Sequence, residues 1–296
     1  MIALLLALGA ALAYGISDFT AGITSRRATA WAVAFCCQLA SCAVIGLVAV
    51  AVPALAGAPH SADWAWGLLA AVGNTLGTVC LYRGFATGRM SVVAPISAVG
   101  AALVPVAAGL AFGERPSGLV WLGIAAALPG IWLVSRVEDA LAADAPVADA
   151  PVADAPVSDA GTGALRDAVF AGVGFGMLFV AFGRIPREAG LGPVALSQAV
   201  AILLLVATAA ATGATWRPGR SAASGGVLAG VLSAGASLAY LFATQSGPMT
   251  VAAILTSLYP AVTILLAAGL LREHIDRLQG AGLLLCGVAV ACVAMG

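Results

Sequence analysis

Ten blocks of predominantly apolar residues fill most of the chain, at 2–23, 31–52, 64–82, 90–112, 119–134, 168–182, 192–211, 225–243, 249–271 and 280–295. Wound as α-helix, blocks of roughly 16–23 residues match a hydrocarbon core about 30 Å thick. In lipid every backbone N–H and C=O must be satisfied within its own segment or around a closed barrel. A barrel needs segments of about ten residues with alternating polarity, and the blocks do not alternate. The expected fold class is therefore all-α and integral to the membrane, with ten transmembrane helices. Hydrophobic residues make up 62% of the 296 and charged residues only 9%, too little charge to cover a soluble surface. The fifth, sixth and tenth blocks are short and are expected to extend into their flanks. The first is long enough to span and lacks a basic n-region, so it reads as a helix rather than a signal peptide.

Thirteen basic and thirteen acidic residues balance, and all the basic ones are arginine. That argues against a nucleic-acid partner, which would need a basic patch. The six cysteines, Cys36, Cys37, Cys42, Cys80, Cys286 and Cys292, lie inside apolar blocks and have no metal-ligand spacing with histidine. His60 and His274 both fall in loops. No nucleophile with its base, phosphate loop or metal motif is visible. The expectation is no enzyme, no cofactor and no metal.

Between the fifth and sixth blocks, a five-residue unit, Asp144-Ala-Pro-Val-Ala, recurs from Asp149 and, slightly altered, from Asp154. Such an acidic, proline-spaced stretch buries no core and reads as a solvated, disordered tether. The segments flanking it resemble each other. Met90-Ser-Val-Val-Ala matches Met249-Thr-Val-Ala-Ala at an offset of 159, which also pairs Glu114 with Glu273. Nearby offsets pair Tyr82 with Tyr240, Thr75 with Ser233 and Gln38 with Gln198. The reading is an internal duplication, with a first repeat at 1–135, a linker at 136–166 and a second repeat at 167–296. Five spans per repeat is an odd number, so the two repeats must enter the membrane with opposite polarity. Inverted repeats around a midplane site are a recurrent transporter design.

Polar atoms at membrane depth are costly unless they face a cavity or a partner. Asn74, Thr78 and Tyr82 fall on one face of the third block, and Ser233, Ser237, Tyr240 and Thr244 on one face of the eighth. Ala252, Thr256, Tyr259 and Thr263 do the same in the ninth, and Tyr14 and Asp18 share a face of the first with Ala11, Ala21 and Gly22. The fourth carries Ser97. The substrate-binding candidates are Tyr14, Asp18, Asn74, Thr78, Tyr82, Ser97, Ser237, Tyr240, Thr256 and Tyr259. Hydrogen bonding between packed helices is the competing reading for each. Gln38 and Gln198 read as structural glue. Tyr82 and Tyr240, equivalent in the two repeats, are expected to face one another across the pseudo-symmetry axis.

Asp18 is the one acid well inside a block, and the second repeat has Met177 in its place. Carboxylates at such depth commonly mark proton or cation pathways; an ion pair with Arg83 or Arg89 is the alternative. Glu114 and Arg115 read as an interfacial ion pair. Small residues four apart, such as Gly73/Gly77 and Gly226/Gly230, permit close helix packing. Pro95, Pro105 and Pro260 sit inside blocks and can kink them.

Four stretches resemble the EamA type of the drug/metabolite transporter superfamily. They are Tyr14-Gly-Ile-Ser-Asp-Phe19, Gly88-Arg-Met-Ser-Val-Val-Ala-Pro95, Gly113-Glu-Arg115, and Ser257-Leu-Tyr-Pro260 followed by a degenerate Arg272-Glu-His274. The resemblance covers the chain except the acidic linker. It implies ten helices in two inverted five-helix repeats. It also implies a secondary active transporter or permease for small metabolites or drug-like solutes, often an exporter, multi-pass in a bacterial inner (plasma) membrane. Its partners would be a small-molecule substrate, the lipid bilayer and a coupling ion such as the proton. The chain departs from the family in Arg272-Glu-His274 and in its long linker. Loops after odd-numbered spans carry ten arginines and those after even-numbered spans three, which places both termini outside; the resemblance places them inside. A membrane-embedded enzyme acting on lipid or isoprenoid substrates would need an interfacial cluster of acids, His or Arg, and a non-transporting scaffold would not need matched polar stripes.

Overall fold

The computed structural model describes residues 1–87, 90–135 and 157–296. Its helices are α1 (Ile2–Ser25), α2 (Ala30–Ala51), α3 (Ser61–Thr87), α4 (Met90–Ala111), α5 (Gly118–Val134), α6 (Val157–Gly183), α7 (Gly192–Ala211), α8 (Arg220–Thr244), α9 (Met249–Thr256), α10 (Tyr259–Leu271) and α11 (Arg277–Met295). They supply ten candidate membrane spans, with α9 and α10 together forming the ninth. The linker expected over 136–166 lies outside the described residues up to 156. From Val157 the chain is helical, so the sixth block extends well into its flank. The tenth extends three residues, to a helix start where Asp276 and Gln279 form a capping box. Thr29 and Ser117 cap α2 and α5 by accepting from Ala32 and Val120 amides.

Proline divides the fourth and ninth spans differently. α4 runs unbroken through Pro95 and Pro105. The ninth span breaks at Ser257 and Leu258, with Pro260 in the first turn of α10, where its missing N–H removes no helical bond. Discontinuous spans of this kind occur beside transporter binding sites.

The dominant helix contacts join one repeat to the other. α3 packs on α6 as α1 packs on α8, and α2 on α8 as α3 on α7. α4 lies on α6 as α1 lies on α9 and α10. α2 against α7, α4 against α9 and α5 against α11 are their own counterparts under the exchange of repeats. These pairings follow a pseudo-twofold axis and describe two inverted five-helix repeats. The equivalent glutamines meet across it: Gln38 Nε2 donates to the Gln198 side-chain oxygen. Leu5, Leu12, Leu47, Leu203 and Leu284 point outward, as lipid-facing residues do. Because lipid is as apolar as leucine, the drive for association comes from close packing and interhelical hydrogen bonds. A Cβ built on Gly174 of α6 would lie 2.7 Å from the Gly73 oxygen and closer still to the Gly77 nitrogen. The Gly73/Gly77 pair therefore works as a packing surface.

The two repeats end their fourth and ninth spans alike. Gly113 (φ 95°) and Arg272 (φ 58°), 159 positions apart, both adopt the left-handed conformation. Glycine takes it without steric cost and arginine does not, so the degenerate second motif keeps the geometry at an energetic loss. Arg272→Gly should raise stability by about 1 kcal/mol, read as a higher melting temperature in detergent.

Candidate functional site

The first span carries a carboxylate that no cation among the described residues neutralises. Three acids lie within the spans: Asp63 sits 3.6 Å from His60 and Asp167 is 3.5 Å from Arg83. Asp18 has no cationic partner among the described residues. It lies seven residues before the end of α1, about 10 Å by helical rise. Leu5 and Leu12 mark the lipid face of α1. At about 100° per residue, Asp18 points some 120–140° away from them. Its side chain is nonetheless exposed, and it lies within electrostatic reach of Tyr14, Tyr82 on α3, Tyr259 on α10 and Cys37 on α2. An exposed inner residue ringed by four helices faces an open vestibule between them.

Aromatic rings build the wall. Tyr82 meets Trp31 edge-on at 5.8 Å between centroids, and Tyr259 meets Tyr14 at 6.3 Å. Tyr259 is set by the helix break, being the first residue of α10. Thr263, one turn on, donates to the Gly15 carbonyl at 3.2 Å and ties α10 to α1. The Tyr14 hydroxyl is 2.9 Å from Ser237 Oγ on α8. The hydroxyls of Tyr82 and Tyr259 bond to none of the described residues, which leaves them available to a solute.

Beyond Tyr14 the path closes. Phe179 packs on Tyr14 at 6.2 Å and on Tyr240 at 4.8 Å. Tyr240 is fully buried and donates to the Phe179 carbonyl at 3.0 Å. Thr256, also fully buried, lies against the Ala7 carbonyl at 3.3 Å. At the end nearest the chain termini, Glu114 leaves the C-terminal end of α4 and caps α9. Its carboxylate accepts from the Met249 amide at 2.6 Å, the Thr250 amide at 2.9 Å and the Thr250 hydroxyl. A carboxylate on a helix N-terminus satisfies orphan amides and complements the dipole. The left-handed Gly113 turns the chain so that Glu114 can reach it.

The model of the EamA-like transporter family matches residues 1–136 and 167–295. The chain belongs to that family. A solved crystal structure shares its fold with a TM-score of 0.73 at 15% identity, over 99% of this chain and 96% of that one. Among proteins of curated function, none matches. This EamA-like protein is thus a multi-pass membrane transporter of small solutes.

Several sequence expectations for the transporter change in three dimensions. Tyr82 and Tyr240 do not face one another. The inverting axis puts Tyr82, near the end of α3, on the side away from the termini and Tyr240, near the end of α8, on the termini side, where its hydroxyl is already used. Arg83 pairs with Asp167 rather than Asp18; Arg89 lies outside the described residues. Glu114 does not pair with Arg115 through its side chain: Arg115 donates to the Glu114 backbone oxygen at 3.1 Å, while the carboxylate holds α9.

Asn74 and Thr78 join a different feature. They line a cavity of about 30 Å³ with Gln38 and Thr75, between α2, α3 and α7, enough for a single water. Asn74 donates to Gln38 at 3.1 Å, Gln38 to Gln198, and Gln198 to Ser41 at 2.8 Å, so the glutamines are glue as expected and Asn74 shares that role. Ser97 is buried, its hydroxyl bonding back to the Ala94 carbonyl at 2.9 Å. Phe179, Trp31 and the capping role of Glu114 escaped the sequence reading. Phe175, Phe179 and Phe182 form a helical stripe in the sixth block that could have flagged the first of these.

Proposed function

We propose that this protein is a secondary active transporter, in the exporting direction its family resemblance suggests, working by alternating access between its two repeats. The observation that carries this reading is the asymmetry of one path. Asp18, Tyr82 and Tyr259 are accessible at the end away from the termini, while Tyr240, Thr256 and the Glu114 cap on α9 seal the other. Tyr14, Asp18, Tyr82, Ser237 and Tyr259 form the solute site, with Tyr14 and Ser237 at its floor.

The repeats supply the opposite state. Glu273, equivalent to Glu114, here only pairs with Arg26 at 3.1 Å near the surface. In the state open toward the termini, Glu114 releases α9 and Glu273 takes the corresponding place at the start of α4, where Met90-Ser91 repeats Met249-Thr250. An exchange of one cap for its equivalent keeps the two states close in energy. The acidic stretch 136–156 serves as a tether between the repeats. A bacterial inner membrane, with both termini in the cytoplasm, fits the family resemblance.

Reconstitution tests the cycle. In a variant with the native cysteines replaced, a cysteine at Tyr259 should react with a membrane-impermeant thiol reagent added from either side in turn. Counterflow should appear for one charge class within a panel of cationic, neutral and anionic organic solutes. Labelling from a single side together with no counterflow for any class would overturn the reading.

A further inference from the structure

We propose that the vestibule is a receptor for organic cations that bear apolar groups around the charge; this rests on the transport reading and names its substrate class. Four observations converge. Asp18 is exposed on the inner face of α1 and, unlike Asp167 beside Arg83, has no cationic partner among the described residues. Three of the chain's four tyrosines, Tyr14, Tyr82 and Tyr259, lie within its electrostatic reach, on three different helices. Trp31 extends the wall beyond Tyr82, and Phe179 extends it beyond Tyr14. The hydroxyls of Tyr82 and Tyr259 carry no bond to the described residues.

Each neighbouring chemistry fits less well. An anion would meet the carboxylate with no cation paired to it among the described residues to offset the repulsion. A hard metal cation needs about six oxygen ligands, and the described residues contain no cluster of acids, His or Cys suited to a metal. A neutral apolar solute would gain from the rings but displace water from the carboxylate without offering it a counter-charge. A quaternary or tertiary ammonium satisfies both parts. Its charge faces Asp18, and its alkyl groups face the electron-rich ring surfaces, as in aromatic cages that bind methylated ammonium.

The test uses the full chain in lipid nanodiscs and two isosteric probes, benzyltrimethylammonium and the uncharged neopentylbenzene, with phenylacetate as the anion. Binding is read by calorimetry and by Trp31 fluorescence. The cation should bind about tenfold or more tightly than neopentylbenzene. Asp18→Asn should weaken the cation about tenfold or more and leave neopentylbenzene unchanged. Tyr82→Phe should retain cation binding and Tyr82→Leu should lose severalfold; this pair decides the matter if Asp18→Asn does not fold. Equal binding of the two isosteres, or cation binding indifferent to both Asp18→Asn and Tyr82→Leu, overturns the proposal. Proteoliposome counterflow separates this failure from that of the transport reading. Asp18-dependent cation binding without counterflow leaves the receptor standing and refutes transport. Counterflow of phenylacetate without Asp18-dependent cation binding refutes the cation class and leaves transport standing.

Discussion

Glu114→Ala should open the transporter toward the side of its termini. Glu114 holds the start of α9 through two amides and a hydroxyl, and alanine offers no acceptor. Loss of an N-terminal cap costs about 1–2 kcal/mol, and hydrogen bonds to a charged acceptor are at the upper end of the usual range. In the alternating-access cycle proposed above the cap breaks when the path opens toward the termini, so its loss acts on the balance between states. A change of about 2 kcal/mol shifts that balance about thirtyfold. The measurement is the reaction rate of a cysteine at Thr256, in a background free of native cysteines, with an impermeant reagent added on the termini side. The parent should be protected and Glu114→Ala should react about ten- to thirtyfold faster. Glu273→Ala should act in the opposite sense. Here Glu273 makes only a surface ion pair with Arg26, worth at most about 1 kcal/mol, so its removal favours the conformation already present. Equal rates in all three proteins would refute the exchange of caps.

Gly174→Leu should prevent assembly of the two repeats. The atoms nearest a Cβ at Gly174 belong to the Gly73 and Gly77 backbones. A backbone cannot rotate aside as a flexible side chain can, so α3 and α6 must separate. Overpacking commonly costs about 1–3 kcal/mol, and this contact lies in one of the main helix interfaces joining the repeats. Loss of monodispersity on size exclusion, or a melting temperature lowered by well over ten degrees, is expected. Gly235→Leu is the control, since open space surrounds that position. Comparable behaviour of the two variants would show that the crossing of α3 and α6 is not tightly packed.

The legible part of this protein was the part that depends on local chemistry. Apolar block length requires helices that span, because lipid offers the backbone no hydrogen-bond partner. The offset of 159 predicted the duplication, and the odd number of spans in each copy predicted the inversion. The cost of polar atoms at depth marks Asp18, Tyr14, Ser237 and Tyr259 as candidates, and the solute site proposed here is built on them. Gln38 and Gln198 were read as glue, and they do bond to each other.

What could not be read from the chain alone depended on where one helix meets another. Glu114 looked like an interfacial charge because its partners, the Met249 and Thr250 amides, lie 135 and 136 residues away. Asn74 and Thr78 share a face with Tyr82, yet the tilt and neighbours of α3 put them against Gln38, while Tyr82 reaches the Asp18 vestibule. Tyr240 matched Tyr82 in sequence, but an axis in the membrane plane sends equivalent residues near helix ends to opposite sides. Periodicity determines which residues share a helix face, and apolar length determines that the helix crosses the membrane. Only the packing of ten spans decides which polar faces meet each other and which are left open to a solute, because that choice rests on long-range contacts that no local pattern encodes.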